Sequence, residues 1–307
     1  MDVLQLGAVI TMNRKKLKST ISLVFATIIW GFAFIAQSVG MDLIGPFTFQ
    51  AVRCALAVLF LVPMAFLSEA GKDSFSVSCK RWKDAKLWKG GMICGIALFV
   101  AANLQQIGLV YTDAGKAGFL TAMYIVLVPV LGLFLGRKIP KAAVFSVFLA
   151  VCGLYLLSCM GVSRVNVGDL CLMGCALAFA VQIICVDKFA GDLDGFRLNC
   201  IQSLVVTLLS IPFAVATETI DFGNILACWG PLCFAGVLSM GLAYSLQIIG
   251  QKELEPTTAA LIMSLESVFA AIGGWWLLKE RMTAPEMLGC CLVFAAVVIS
   301  QLPDRRK

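Results

Sequence analysis

LQQIGLVYTDAGKAGFL, residues 104–120, aligns without gaps on LQIIGQKELEPTTAALI, residues 246–262. The two stretches share a Leu-Gln-x-Ile-Gly block at corresponding places in the two halves of the chain. Each stretch joins the end of one apolar segment to the start of the next through a short polar turn. The match predicts an internal repeat, in which each copy is a series of hydrophobic helices joined by tight turns.

Long segments with no charge, or with one, occupy most of the remaining sequence. A helix that crosses a bilayer needs about 17–25 apolar residues, so each segment is long enough for one crossing. We predict an all-α integral membrane protein with ten transmembrane helices, because lipid leaves the edges of open sheets without partners. The ten segments are 19–41, 47–68, 90–112, 117–136, 142–163, 170–186, 198–217, 222–251, 256–278 and 287–303.

The composition agrees with a membrane protein. Of 307 residues, 60% are hydrophobic and 14% are charged, whereas a soluble domain has about 25% charged residues. There is no histidine, which excludes imidazole as a proton relay, metal ligand or catalytic base. The 13 cysteines follow neither a disulfide framework nor zinc-site spacing. With no phosphate-binding loop and no nucleophile–base pair, we expect no cofactor, no bound metal and no enzyme activity.

The distribution of basic residues predicts the orientation in the membrane. If the N-terminus lies inside, 19 Lys and Arg residues fall on the inner side and four on the outer side. This bias places both termini in the cytoplasm of a multi-pass protein, which we assign to the plasma membrane. The basic loops account for the net charge of +6, so no nucleic-acid partner is expected. The oligomeric state and the choice of Met1 or Met12 as the first residue stay open.

The repeat extends over five helices in each half. AFIAQ at 33–37 resembles AFAVQ at 178–182, and Gly132 corresponds to Gly274. Because five is odd, the second copy enters the membrane from the opposite side. Inverted halves can form two related conformations, with a site near the middle of the membrane where they meet. The predicted units are a cytoplasmic segment 1–18, a first repeat 19–159, a second repeat 160–303 and a cytoplasmic tail 304–307.

Three motifs resemble the drug/metabolite transporter superfamily, specifically its ten-helix EamA-type members. They are IIWGFAFIAQ at 28–37, FTFQAVRCALAVLFL at 47–61 and LESVFAAIGGWWLLKERMT at 265–283. The family pattern has Leu-Glu-Pro-Val-Phe and a later Gly-Glu-Arg-like turn; here Ser267 replaces the proline and Lys279-Glu280-Arg281 stands at the turn. The resemblance implies secondary transport of amino acids, other metabolites or drugs, often by export and often coupled to protons.

Glu266 is the first candidate site residue, because it lies within an apolar segment. A carboxylate at that depth must face a cavity, find a partner or stay protonated. It corresponds to Tyr124 at the repeat offset of 142 residues. Glu266 is therefore predicted to bind protons or a cationic group of the substrate; the alternative is a structural hydrogen bond to a neighbouring helix.

Arg53 and a set of polar and aromatic residues complete the candidate site. Arg53 lies within the second segment, where it binds a substrate carboxylate or anchors its own helix. The amides form two repeat-related pairs, Gln37 with Gln182 and Gln105 with Gln247. Polar groups are expensive in lipid, so these residues are predicted to face inward, as cavity lining or as interhelical hydrogen bonds. The remaining candidates are Trp30, Tyr244 and Asn103.

Together these patterns predict a secondary transporter of small organic solutes that works by alternating access, with protons as the candidate coupling ion. Three alternatives remain open. An uncoupled facilitator would have the same fold, and a flippase for lipid precursors would need an opening towards the bilayer. A membrane scaffold without transport would bind a protein partner, for which the basic loop 68–89 is the candidate surface.

Overall fold

The structure is a computed structural model that describes residues 3–70, 74–112, 114–158, 166–277 and 282–301. Within these ranges the chain is almost entirely helical and has no strand. The predicted turn at 279–281 and the predicted tail 304–307 lie outside the described residues. The helices are α1 (Val3–Met41), α2 (Pro46–Leu67), α3 (Phe75–Arg81), α4 (Ala85–Tyr111), α5 (Ala114–Ala122), α6 (Tyr124–Phe134), α7 (Lys141–Ser158), α8 (Val167–Ala190), α9 (Gly195–Thr217), α10 (Phe222–Ala227), α11 (Trp229–Cys233), a π-helix (Phe234–Ala243), α12 (Tyr244–Gln251), α13 (Pro256–Met263), α14 (Leu265–Leu277) and α15 (Ala284–Gln301).

The predicted all-α membrane fold is confirmed. In the described part of the chain, nine helical segments are long and apolar enough to cross a membrane, and Lys141–Leu157 is a shorter apolar helix. The segment predicted at 222–251 begins later, because α10 is a separate short helix and the crossing covers Trp229–Gln251. Pro231 lies in the first turn of the crossing, where its missing N–H group interrupts no helical hydrogen bond.

Two crossings are broken at nearly equivalent points of the repeat, which differ by one residue at the offset of 142. α5 gives way to α6 at Met123, and α13 gives way to α14 at Ser264. At both breaks the backbone bonds to the carbonyl three residues back, with distances of 3.3 Å from Met123 N to Leu120 O and 3.3 Å from Ser267 N to Ser264 O. Such tightened turns are typical of functional hinges. They place Tyr124 and Glu266 at the starts of new helices near the middle of the bundle.

Helix packing joins the two halves of the chain and follows the repeat. α2 packs on α9 and α7 packs on α15, and in each pair the partners occupy the same place in the two halves. α1 and α8 are the first crossings of the two halves and make corresponding contacts. α1 packs on α12, and α8 packs on α4, the corresponding helix of the first half. α1 also packs on α14, and α8 packs on α5 and α6. This is the pattern expected for two halves related by a two-fold axis. Any cavity between these helices is therefore built from both halves.

The α2–α9 pair is clamped at both ends by a glutamate. At one end, Arg197 Nη1 and Nη2 donate to Glu69 Oε1 and Oε2, each at 2.7 Å. At the other end, the backbone N–H groups of Phe47 and Thr48 donate to the Glu218 carboxylate at 2.7 and 2.8 Å. Glu69 and Glu218 are 149 residues apart, as are Thr48 and Arg197. The two contacts therefore join corresponding positions of the two halves. The Arg197–Glu69 contact is an ion pair, whereas Glu218 accepts from backbone N–H groups.

Four connections meet at the Glu69 end of the bundle. They are the segments that follow α2, α6, α8 and α12, and we term this the basic end. Lys86 Nζ lies 2.8 Å from Asp192 Oδ2, and Lys252 Nζ donates to the carbonyl oxygen of Leu193 at 2.6 Å. The first contact links the two halves and the second links two loops of the second half, so the bundle is closed here by polar bonds as well as by packing.

Glu69→Gln is expected to lower the thermal unfolding temperature at pH 7. The hydrogen bonds from Arg197 lower the pKa of Glu69 to about 2, below the unfolded value of about 4.3. The stabilisation by the Glu69 charge is therefore present above pH 4 and is lost as the pH falls towards 2. Removing the carboxylate takes away two charge-assisted hydrogen bonds from Arg197, each worth about 1.5–3 kcal/mol, and leaves it with the more distant Asp194, whose Oδ1 lies 3.7 Å from Nη1. Thermal unfolding of both proteins in detergent should show this difference at pH 7 and its disappearance near pH 2.

Glu253→Gln is the matched control for the Glu69 variant. Its carboxylate lies 4.0 Å from Lys15 Nζ at the surface, and such pairs contribute about 0–1 kcal/mol. An unfolding temperature close to that of the wild type is expected at every pH. A Glu69 effect of equal size at pH 7 and pH 2 would show that the ion pair is not its cause.

Candidate functional site

A pocket lies between the two halves, beside both helix breaks. Its empty space, counted together with the open solvent at its mouth, is about 480 Å³. We term it the central pocket. The lining residues are Trp30, Phe34, Gln37, Arg53, Gln105, Thr121, Tyr124, Phe179, Ile183, Ser239, Tyr244, Gln247, Met263 and Glu266.

The structure brings eight of the ten candidate residues to this pocket: Trp30, Gln37, Arg53, Gln105, Tyr124, Tyr244, Gln247 and Glu266. Gln182 lies one layer behind, where its Oε1 accepts from Gln247 Nε2 at 3.1 Å. Asn103 does not line the pocket. Its amide donates to Ser210 Oγ on α9 at 3.2 Å and to the carbonyl oxygen of Phe99 at 2.9 Å. For Asn103, the structure favours the predicted alternative of an interhelical hydrogen bond.

Glu266 meets its own repeat partner. The Tyr124 hydroxyl donates to Glu266 Oε1 at 3.0 Å, and Glu266 is 6% exposed. Glu266 lies in the first turn of α14, where the positive end of the helix dipole stabilises a carboxylate. Among the described side chains, no Lys or Arg lies within ion-pair distance of it. A positive group that enters the pocket therefore meets an uncompensated carboxylate.

Arg53 is the opposite charge of the same pocket. It is 2% exposed, and two amides hold its guanidinium. Nε donates to Gln50 Oε1 at 2.7 Å, and Nη1 donates to Gln37 Oε1 at 2.6 Å. In the described part of the chain no carboxylate pairs with it. Arg197 is buried to the same degree but is paired with Glu69, so Arg53 is the buried arginine that lacks a counter-charge.

The rest of the wall is aromatic and amide-rich. Trp30 packs edge-on against Tyr244, with ring centroids 5.0 Å apart. Trp30 Nε1 and Gln247 Oε1 are buried without a hydrogen-bond partner among the described residues. Buried polar atoms are normally satisfied, so these two atoms offer one donor and one acceptor to a solute. The described residues contain no cluster of acidic, Cys or His side chains that would hold a metal.

Six lining residues are not among the ten candidates: Phe34, Thr121, Phe179, Ile183, Ser239 and Met263. Four of them form two repeat-related pairs. Phe179 corresponds to Phe34 at the offset of 145 residues, and Thr121 corresponds to Met263 at the offset of 142 residues. Recognising one member of such a pair as inward-facing identifies the other. Ile183 and Ser239 carry no such signal.

Comparisons with known proteins agree with this architecture. The model of the EamA-like transporter family matches residues 17–159 and 166–301. A protein of Archaeoglobus fulgidus described as an uncharacterized transporter is 33% identical over 291 residues, or 94% of this chain and 87% of that protein. The threonine/homoserine exporter RhtA of Salmonella typhimurium is 32% identical over 167 residues, which is 52% of this chain and 55% of that protein. A solved crystal structure superposes with a TM-score of 0.74 at 16% identity, over 92% of this chain and 96% of that one, which shows a shared fold.

Proposed function

The chain belongs to the EamA-like transporter family, and we propose that it exports small zwitterionic amino acids in exchange for protons. The halves 19–159 and 160–303 open the central pocket to each side of the plasma membrane in turn. The basic end faces the cytoplasm, as the distribution of Lys and Arg predicts. One observation carries the proposal: Arg53 and Glu266 line the same pocket, and neither has a charged partner among the described residues.

Two uncompensated charges of opposite sign favour a solute that carries both. The carboxylate of an amino acid pairs with the Arg53 guanidinium through the N–H groups that Gln50 and Gln37 do not accept, and such charge-assisted hydrogen bonds are strong. The ammonium group pairs with Glu266. A simple amine would leave the Arg53 charge without a partner, which is strongly unfavourable. A simple acid would bring no ammonium group to displace the proton of Glu266. The similarity to RhtA, a threonine/homoserine exporter that matches about half of this chain, supports small polar amino acids.

Glu266 also links the solute to protons. In the empty pocket, Glu266 has the Tyr124 hydroxyl beside it and no cation, so a proton neutralises the buried carboxylate at the least cost. The ammonium group of the solute displaces this proton. Each pocket then carries either a solute or a proton across the membrane. Competition for one group is the basis of antiport.

The test is transport by purified protein in liposomes with a trapped pH-sensitive dye. The solutes are L-threonine and L-homoserine, with 1-amino-2-propanol as the amine lacking a carboxylate and 3-hydroxybutyrate as the acid lacking an amine. Proton movement at least tenfold above that of empty liposomes is expected for the two zwitterions alone. Movement of labelled L-threonine without protons would instead establish a facilitator. If no labelled amino acid moves, the proposed substrate class is wrong.

A further inference from the structure

A second cavity lies at the basic end, next to the central pocket. It consists of two adjoining pockets with empty volumes of about 780 and 640 Å³. Arg137, Glu255 and Pro256 line both of them. We term the two together the vestibule. Its walls come from α6 and the segment that follows it in one half, and from α8, α12 and α13 in the other, so it also lies between the halves.

One helical turn separates the vestibule from the central pocket. Three helices contribute a residue to the central pocket and, four positions later, a residue to the vestibule. Four residues span about 6 Å along a helix and lie on the same face. The two cavities therefore follow one path through the bundle. The pairs are Tyr124 and Val128 on α6, Ile183 and Asp187 on α8, and Gln247 and Gln251 on α12.

Gln251 gives the vestibule an unused hydrogen-bond acceptor. The residue is 2% exposed, and its Nε2 donates to the carbonyl oxygen of Ile183 at 3.1 Å. Its Oε1 has no partner among the residues that the structure describes. A buried acceptor without a donor is unfavourable. A solute that brings an N–H group, such as an ammonium group, satisfies it.

An ion pair between the halves forms part of the vestibule wall. Arg137 follows α6 in the first half, and its Nη2 donates to Oδ2 of Asp187 on α8 at 2.6 Å. Both residues are partly exposed, so a solute in the vestibule reaches them. A solute with a single charge would pair with either Arg137 or Asp187 and leave the other residue without a counter-charge. A zwitterion replaces both partners at once.

We propose that the vestibule is a second, loading site for the transported solute, in which Arg137 and Asp187 exchange their mutual ion pair for the carboxylate and ammonium of a zwitterion. This inference rests on the proposed function, because it concerns the same solute. Gln251 Oε1 provides a further acceptor for the ammonium group. Loading also removes a bond that holds the halves together at the basic end. Arrival of the solute thereby favours their separation and movement of the solute by one turn into the central pocket.

Asp192 provides the matched control. Its carboxylate pairs with Lys86 Nζ at 2.8 Å, so it also forms an ion pair between the halves at the basic end. It does not line the vestibule. Asp187→Asn and Asp192→Asn therefore each remove one negative charge from an ion pair between the halves, but only the first changes the proposed site.

The test is transport of labelled L-threonine into everted and right-side-out membrane vesicles, which present opposite faces of the protein to the label. With label at the basic end, Asp187→Asn is expected to raise KM about tenfold, the size of effect given by loss of one charge-assisted hydrogen bond. With label at the opposite end, KM should stay within twofold of the wild type. Arg137→Gln should behave as Asp187→Asn does, and Asp192→Asn should leave both values unchanged.

Three results would overturn the vestibule site and leave the proposed function intact. They are equal KM changes from both faces, the same change in the Asp192 variant, and a lowered unfolding temperature of Asp187→Asn with unchanged KM. The last would make the Arg137–Asp187 pair a structural tie. If wild-type vesicles move neither L-threonine nor L-homoserine, both proposals fail together.

Discussion

Arg53→Gln is expected to lower kcat/KM for L-threonine at least a hundredfold while the protein stays folded. The proposed solute carboxylate would then enter a buried pocket with no cation to meet it. Removing one partner of a buried, hydrogen-bonded ion pair costs about 3–5 kcal/mol, and each 1.4 kcal/mol corresponds to a tenfold change. The measurement is the initial rate of labelled L-threonine transport over a range of concentrations, with the unfolding temperature of each variant.

Arg197→Gln is the control, because Arg197, among the residues that the structure describes, is the other arginine that is almost fully buried. It has its own carboxylate in Glu69, at 2.7 Å, so it is expected to act on stability and not on the solute. Its replacement should lower the unfolding temperature and leave KM unchanged. If Arg53→Gln behaves in the same way, Arg53 anchors α2 and the proposed carboxylate site is wrong.

Arg53→Lys separates charge from geometry. Lysine keeps the positive charge, but it lacks the planar fork that binds a carboxylate through two parallel hydrogen bonds. A loss of about tenfold is expected, between the wild type and the glutamine variant. An equal loss in both variants would show that bidentate geometry, and not the charge alone, is required.

The charged residues of the central pocket do not follow the symmetry of the repeat. At the repeat offsets, Arg53 corresponds to Gln202 and Glu266 corresponds to Tyr124. Neither partner carries the charge of its counterpart. The fold is therefore close to symmetric while the charges of the central pocket are not. An inverted repeat with identical residues would supply the same groups from both halves. Here the first half supplies a cation, Arg53, and the second half supplies an acid, Glu266.

The fold was predictable because a bilayer fixes the length of each crossing, and uncharged runs of that length are visible in the sequence. The motifs at 28–37, 47–61 and 265–283 also gave the family, which the comparisons confirm. The helix breaks at Met123 and Ser264 were not predicted. They arise from a local change of hydrogen bonding within apolar sequence, which produces no change in hydrophobic pattern.

The lining residues were predictable only in part. An inward-facing polar residue is identifiable from its position on a helix, but its partner depends on how neighbouring helices are rotated. Asn103 illustrates this limit, because it bonds to Ser210, which is 107 residues away in the sequence. Gln105, two positions further along α4, reaches the pocket instead. Contacts between helices of opposite halves decide between these outcomes, and a single sequence does not show them.

Glu266→Gln is expected to reduce solute-driven proton flux to the level of empty liposomes. Glutamine preserves the size of the side chain and a hydrogen-bond acceptor for Tyr124, but it does not take up or release a proton. It also provides no negative charge for the ammonium group, so KM for L-threonine should rise at least tenfold. The measurement combines the trapped pH dye with labelled L-threonine in the same liposomes.

Tyr124→Phe is the control, because it removes the 3.0 Å hydrogen bond to Glu266 and keeps the carboxylate. Proton flux should persist, with a change in KM of a few-fold. If protons still move with the solute in Glu266→Gln, coupling lies at another group and Glu266 is a structural acid. Loss of flux in both variants would instead show that the hydroxyl and the carboxylate work as one unit.

Competition between protons and solute for Glu266 also predicts how KM depends on pH. If protons and the solute ammonium compete for Glu266, KM of the wild type for L-threonine must rise as the pH on the loading side falls. In Glu266→Gln the competition is absent, so KM should be high and independent of pH over the same range. A wild-type KM that does not change with pH would contradict competition even if the proton flux of the variant were lost. The pH series therefore separates a shared binding group from an acid that merely supports the transporting conformation.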